Sequence, residues 1–324
     1  MRQFFQKFSD LNILIIGDVM MDTYLWGKVE RISPEAPVPV VSITKKENRL
    51  GGAANVALNV QSLGASPLIC SVIGDDAEGK EFLNLLRDQK LSTDGIVTIP
   101  DRPTTVKTRV IGHNQQIVRV DAETDTQISL EYRLQIFEKI KKIIEDQKID
   151  AIIFEDYDKG LLSEELINIT VELANRKNIL TVADPKKRNF LCYKNVSLFK
   201  PNLKELKEGL KVDIEPNNIN EINDAVKLLQ NLIQADFVMV TLSELGVYIS
   251  SKNGYKVLPA HIRNIADVSG AGDTVIATAT LCLAAGLDEF TTAVIANLAG
   301  GLVCEQVGVM PISYDLLLSE TENL

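Results

Sequence analysis

The sharpest chemical signal in this 324-residue chain is Asp267-Val268-Ser269-Gly270-Ala271-Gly272-Asp273, which runs into the small, apolar stretch TVIATATLCLAAG. Glycines at 270 and 272 let the backbone through Ala271 turn its N–H groups toward one point. A helix beginning there adds its positive end, and together they make an anion hole. Asp273 falls in the first turn of that helix. From there a carboxylate can take a proton from an attacking hydroxyl while the amides hold charge developing on a transferred phosphoryl group. An N-capping Asp in a Gly-rich turn accounts for the same spacing, so the motif alone leaves both readings open. A second group is Gly51-Gly52-Ala53-Ala54-Asn55. Paired glycines admit a small polar ligand to the backbone, and Asn55 can both donate to and accept from a sugar hydroxyl, although helix entry and close packing explain the pair equally well. A third is Lys200-Pro201-Asn202-Leu203-Lys204-Glu205. Asn202 and Glu205 share a helical face, which suits magnesium held through water beside nucleotide phosphates. The same spacing is that of a capping box.

Other chemistries lack their residues. There is no G-x-x-x-x-G-K-[ST], and Gly270-x-Gly272 has no third Gly at 275, so the P-loop and the dinucleotide fingerprint both fail. The H-R-D and D-F-G triplets of protein kinases are absent. Two histidines, His113 and His261, leave little material for His-based metal ligation or a Ser-His-Asp triad. The four cysteines, Cys70, Cys192, Cys282 and Cys304, stand far apart and read as reduced thiols rather than a disulfide frame or zinc site. With 34 Lys and Arg against 44 Asp and Glu, the net charge is −10 and nucleic acid is not an expected partner. A composition of 45% hydrophobic and 24% charged residues is that of a globular protein. The longest apolar stretch, 293–304, is too short to span a bilayer. The opening MRQFFQKFSD does not read as a secretion signal, so a cytoplasmic location is expected.

To position these groups the chain alternates strand-length apolar runs with amphipathic helical stretches, the pattern of a mostly parallel sheet covered by helices on both faces. Strands are expected at 11–16, 67–73, 151–154, 179–183, 197–199 and 237–241. Helices are expected at 54–63, 78–89, 129–147, 163–177 and 219–234, with further core helices within 273–303. Residues 38–44 and 104–121 alternate polar and β-branched residues and read as antiparallel ribbons. So small a sheet packs as a flap over a site or against a partner's flap.

The GGAAN, NxxE and GAGD segments, in this order and spacing, resemble the ribokinase (PfkB) family of carbohydrate kinases. Within it the resemblance narrows to the branch acting on D-glycero-β-D-manno-heptose 7-phosphate at O1. It rests on 17–41 with its ISPEAPVPVV phrase, 51–65, 105–121 with Asn114-Gln115-Gln116, Asp156-Tyr157-x-Lys159-Gly160, Asp184-Pro185-Lys186, and 267–277. It implies an α/β ribokinase-like domain over 1–324 with a β lid from about 18–47 and 98–121, which in relatives also forms a homodimer contact. ATP would be co-substrate with Mg2+, and many members add K+ beside the segment around Asp267. By the resemblance Asp273 is the base and Gly270, Ala271 and Gly272 the anion hole. Asp22, Gly51, Gly52 and Asn55 contact the sugar. Asn202 and Glu205 organise magnesium, Thr241, Ser243 and Gly246 line the nucleotide site, and Asn297 lies near the adenine. A phosphorylated acceptor needs cations, and Lys107, Arg109 and Arg119, all odd-numbered and so on one face, together with Lys186, are the candidates. Fructose phosphate, ribose or a nucleoside remain rival acceptors. Glu155 and Gly308-Val309 depart from the common pattern of relatives. Nothing after Pro311 is long enough for a nucleotidyltransferase domain, so adenylylation is expected of another protein.

Overall fold

The computed structural model describes residues 1–113, 115–261, 265–306 and 308–323. Strand β1, Asn12–Gly17, is apolar on both sides: Ile13 and Ile15 enter one core and Leu14 and Ile16 the other. A strand buried on both faces belongs in the middle of a helix-covered sheet. Chain order then gives β2 Val19–Ile32, β3 Pro39–Gly52, β4 Ser66–Gly74, β5 Ile96–Ile99, β6 Val106–Gly112 and β7 Gln115–Ala122. After these come β8 Ala151–Glu155, β9 Leu180–Asp184, β10 Leu198–Phe199, β11 Phe237–Thr241, β12 Val247–Ser251 and β13 Gly254–Leu258. The main sheet runs β13-β12-β11-β10-β9-β8-β1-β4-β5. It is parallel from β11 to β5, with β12 and β13 added antiparallel at one edge.

Helices Ala53–Ser62, Ala271–Ala284 and Glu289–Val303 pack on the Ile13 side. Helices Leu130–Asp146, Glu164–Arg176 and Ile219–Ile233 pack on the Leu14 side. The helix Ala271–Ala284 is buried on almost every side, which is why its residues are small and apolar all round rather than striped. No helix among the described residues is long and apolar enough to cross a membrane. All four cysteines are free thiols, with Cys70 and Cys282 buried.

A second sheet, β3-β2-β6-β7, contains the segments expected as the flap. Two antiparallel hairpins, β2–β3 and β6–β7, join through a parallel β2–β6 pair, so the ribbons expected separately are one sheet. Its limits also differ from the expected 18–47 and 98–121. Pairing of β3 continues to Gly52 opposite Val19, and residues 96–99 belong to the main sheet, where Ile96, Val97 and Ile99 are buried beside β4. The lid therefore occupies 19–52 and 106–122. At the β2–β3 hairpin there is almost no connecting chain between the two sheets: Asp18 alone separates β1 from β2, and Gly52 is followed at once by the helix Ala53–Ser62, whereas residues 100–105 and 123–129 lead into and out of the β6–β7 hairpin.

Candidate active site

The helix Ala271–Ala284 starts at Gly270, whose φ of 81° is the left-handed conformation that glycine adopts without strain. Asp273 is the third residue of the helix and does not cap it. Its carboxylate is instead held from two other elements: Asn55 Nδ2 donates to Oδ2 at 2.6 Å and Tyr157 Oη to Oδ1 at 2.9 Å. The capping alternative is thereby set aside. Burial pushes the Asp273 carboxyl up to about 6, against the lowering effect of the Asn55 and Tyr157 donors and with a further push from Asp184. A carboxyl titrating there is a stronger base than a surface Asp and still ionised at neutral pH. The Ala271 N–H closes a turn on Val268 O at 3.3 Å. First-turn amides of a helix, here those of Gly272 and Asp273, have no acceptor four residues back, and that end carries the positive dipole.

On one side of this turn lies a cavity of about 520 Å3. Asn202, Thr241, Ser243, Gly246 and Asn297, expected as nucleotide contacts, all line it. Gly246 has φ of 94°, and a Cβ there would run into the backbone of Leu258 and Pro259. Asn297 Nδ2 donates to Pro259 O at 2.8 Å, tying the last core helix to the same wall. Asn202 and Glu205 form a capping box: each accepts the other's backbone N–H at 2.8 Å. The remaining Glu205 oxygen takes Lys186 Nζ at 2.6 Å. Lys186, expected at the acceptor phosphate, lines this cavity together with Tyr157 and Asp273, its ammonium 5.3 Å from the Tyr157 ring centre. Burial alone would lower its pKa, but Asp184 and Glu205 outweigh that and hold it above the usual lysine range.

Two residues, Lys200 in this wall and Glu155 behind it, have no site role in the sequence reading. Lys200, 3% exposed at its side chain, pairs with Asp184 Oδ2 at 2.7 Å beside Gly272. Glu155 is fully buried and neither carboxylate oxygen has a hydrogen-bond partner, and Asp184 Oδ1 is likewise unpartnered. Burial, then Asp184 and Asp273, hold the Glu155 carboxyl well above its usual range. Among the described residues no three His, Cys, Asp or Glu form a ready metal cage. Mg2+, which keeps several waters and borrows phosphate oxygens, needs no such cage; the carboxylates on this wall that would face it are Glu205 and Asp184, whose Oδ1 lies 3.7 Å from Lys186 Nζ.

Across Asp273, under the lid, lie the remaining candidates. Asp22, 4% exposed, is ion-paired with Arg109. Gly51 is required here because a Cβ would collide with the Asp22 carboxylate, and Gly52, with φ of 60°, packs on Asp18 O and opens the helix that carries Asn55. The register sets Arg109 opposite Arg119 and Lys107 opposite Asp121, which puts the three basic residues on one face. They differ in availability. Arg119 is half-exposed and holds Asp121 in a two-point pair at 2.9 Å, whereas Lys107 sits between Asp121 and Glu123 at 3.8 and 3.4 Å. Arg49 was also missed: its guanidinium lies 4.9 Å from the Tyr24 ring centre, and that of Arg109 lies 5.3 Å away. Strand alternation counted back from Gly51 was the signal that could have found it. Asn114 lies outside the described residues.

Residues 10–315 match the model of the pfkB family carbohydrate kinase. The chain is 40% identical over 312 residues to the bifunctional protein HldE of Helicobacter pylori strain P12, covering 95% of this chain and 67% of that one. It is 40% identical over 311 residues to the protein of the same name from Methylobacillus flagellatus, of which it spans only 63%. Among solved structures it superposes on Escherichia coli phosphofructokinase-2 in complex with potassium, with a TM-score of 0.78, 19% identity, and 95% and 97% of the two chains covered. It also superposes on Arabidopsis thaliana ribokinase complexed with ribose and ATP, with a TM-score of 0.73, 16% identity, and 95% and 98% covered. These two likenesses establish the fold.

Proposed function

The chain belongs to the pfkB family of carbohydrate kinases, and on that premise we propose that it phosphorylates O1 of D-glycero-β-D-manno-heptose 7-phosphate with ATP and Mg2+. The observation that carries the reading is a buried, doubly held carboxylate with a helix start and a cavity on one side and, on the other, a lid face bearing Arg109, Lys107 and Arg49, each ion-paired with an acid. An acceptor that already bears a phosphate needs cations, and Arg109, Lys107 and Arg49 would supply them by exchanging their present partners, Asp22, Asp121 with Glu123, and Glu47, for the phosphate. Lys186 belongs to the ATP side. The narrower choice of a heptose rests on the ISPEAPVPVV resemblance.

In the proposed step the lid holds the sugar phosphate and Asp22 and Asn55 bind its hydroxyls. The buried Asn55 Oδ1, which lacks a partner, is free to accept one of them. Asp273 takes the O1 proton as that oxygen attacks the γ-phosphorus in line; the new P–O bond forms as the bond to the ADP oxygen breaks. First-turn amides at Gly272 and Asp273, with the Lys200 ammonium, stabilise the equatorial oxygens. Mg2+ would supply charge neutralisation between the phosphates, held from the Asn202–Glu205 wall. K+ beside Asp267 is part of the same proposal. The lid's outer face, where Val118 and Val120 are 47% and 57% exposed, would carry a homodimer contact.

The test is ADP release with ATP, Mg2+ and the heptose 7-phosphate, with fructose 6-phosphate, ribose and a nucleoside as parallel acceptors, in K+ and in Na+ buffer. Turnover confined to the heptose phosphate supports the reading. Turnover confined to another acceptor keeps the kinase and discards the substrate.

A further inference from the structure

The GDVMMD phrase contains a buried acid that the proposed mechanism does not use. Asp18, 3% exposed, is the single residue between the last position of β1 and the first of the lid strand β2. Its carboxylate accepts three backbone N–H groups from one loop: Tyr157 and Lys159 at 3.0 Å on Oδ2, and Leu161 at 3.3 Å on Oδ1. Its own N–H donates to Glu155 O at 3.1 Å, and its carbonyl accepts from Ala53 N at 3.0 Å. Tyr157 and the helix opening at Ala53 are the two elements that deliver the donors to Asp273, Tyr157 Oη to one oxygen and Asn55 Nδ2 to the other.

We propose that Asp18 is the positioning residue of the active site, fixing through its carboxylate the loop of Tyr157 and through its carbonyl the helix of Asn55, so that both donors stay on Asp273. The proposal rests on Asp273 as the base. A buried carboxylate is costly unless fully hydrogen-bonded, and this one is satisfied only while loop 157–161 is in place, so side chain and loop are ordered together. Asp156 secures the same loop from its other side, accepting from Asn189 at 3.0 Å and Tyr193 at 2.7 Å. Asp18 touches neither the cavity nor Asp273, so its effect on the reaction passes through Tyr157 and Asn55.

The variant is Asp18→Asn, whose amide places an N–H against backbone N–H donors. Asp18→Ser, with one acceptor oxygen and no amide, serves where Asn does not fold. Loss of the Tyr157 hydrogen bond removes a group that favours ionised Asp273, among neighbours Glu155, Asp184, Lys186 and Lys200 that stay as they are. Burial and Asp156 push the Asp18 carboxyl itself up to about 6, so the variant also removes a second group titrating in that range, and the midpoint of Asp273 read directly separates the two. The expected result is a fall in kcat on the order of 10- to 100-fold, KM for ATP unchanged, and an acid limb of the pH–rate profile displaced to higher pH. In a cycle with Tyr157→Phe the two effects are expected to be far from additive. Equal losses in both backgrounds, or an unmoved acid limb with KM and kcat changed together, would overturn the proposal. Titration of the Asp273 carboxyl by selective 13C labelling needs no acceptor: a higher midpoint in the Asp18 variant than in wild type supports the proposal, and an identical midpoint sinks it. That readout decides the matter even if the heptose phosphate proves not to be the substrate.

Discussion

At the scale of single residues, Asp273 joins two properties that pull in opposite directions. Its carboxyl is lifted to about 6 chiefly by burial, so the folded protein binds that proton more tightly than the unfolded chain, where Asp titrates near 3.9. Between these values the folded state carries more protons, and this residue's contribution to stability therefore falls as pH rises and is most unfavourable above about 6. The base, in contrast, works only when ionised. Activity is expected to drop as pH falls through about 6, while the melting temperature of wild type relative to Asp273→Asn rises over the same interval; paired thermal melts and initial rates from pH 7.5 to 5 check both signs. Asp273→Asn itself is expected to fold and to lose on the order of 10²–10⁴-fold in kcat, read by ADP release. Full activity in that variant would remove the base assignment.

At the scale of elements, the helices with side-chain caps were the most legible part of the sequence because they announce their ends, whereas Ala53–Ser62, Leu130–Asp146 and Ala271–Ala284 have no such cap. Ser163 accepts from Leu166 N, Asp288 from Phe290 and Thr291 N, and the structure bounds the helix expected at 163–177 as Glu164–Arg176. Parallel strands were legible as apolar runs, since β1 and β8 are buried throughout or nearly so. Strand β2 was not, because its buried half is followed by partly exposed residues and its pairing with β3 slips at Trp26/Gly27 and again at Val29/Arg31. A bulge shifts the inside-to-outside alternation on which a strand is recognised. The NxxE motif shows a different limit: its spacing fitted both a metal site and a cap, and only the hydrogen bonds place the cap. Gly51 gives a prediction at this scale. A methyl group there meets the Asp22 carboxylate, and overpacking of about 1–3 kcal/mol falls on the Asp22–Arg109 pair. Gly51→Ala is expected to raise KM for the acceptor roughly tenfold and to leave KM for ATP unchanged, as measured by steady-state kinetics with each substrate varied.

At the scale of the whole molecule, the site is assembled from parts remote in sequence, and this is why the roles of its supporting residues could not be read. Asn55 and Asp273 are separated by 218 positions and Tyr157 and Asp273 by 116. Asp18, Tyr157 and Lys200 stand inside segments singled out in the sequence, but none is given a role there, and they acquire roles only when the sheet order brings the ends of β1, β8, β9 and β10 together. The lid's outer face gives a prediction of the same scope: Val120→Glu is expected to convert a dimer to a monomer in sedimentation velocity, and an unchanged assembly, or a wild-type monomer, would remove the lid contact. The junction at Asp18 has a mechanical consequence as well. With one residue between β1 and β2 and none between β3 and its helix, the β2–β3 hairpin is rooted as a stiff cantilever, to which the β6–β7 hairpin is attached by pairing of β6 with β2. Strands of 14 residues reach up to about 45 Å at roughly 3.3 Å per residue. A rotation of about 5° at the root then sweeps the far end through about 4 Å while the atoms around Asp273 barely move. The tip is thus an amplifying pointer for events at the base, and a distance label near residues 33–38 would register sugar binding that the catalytic groups themselves scarcely display.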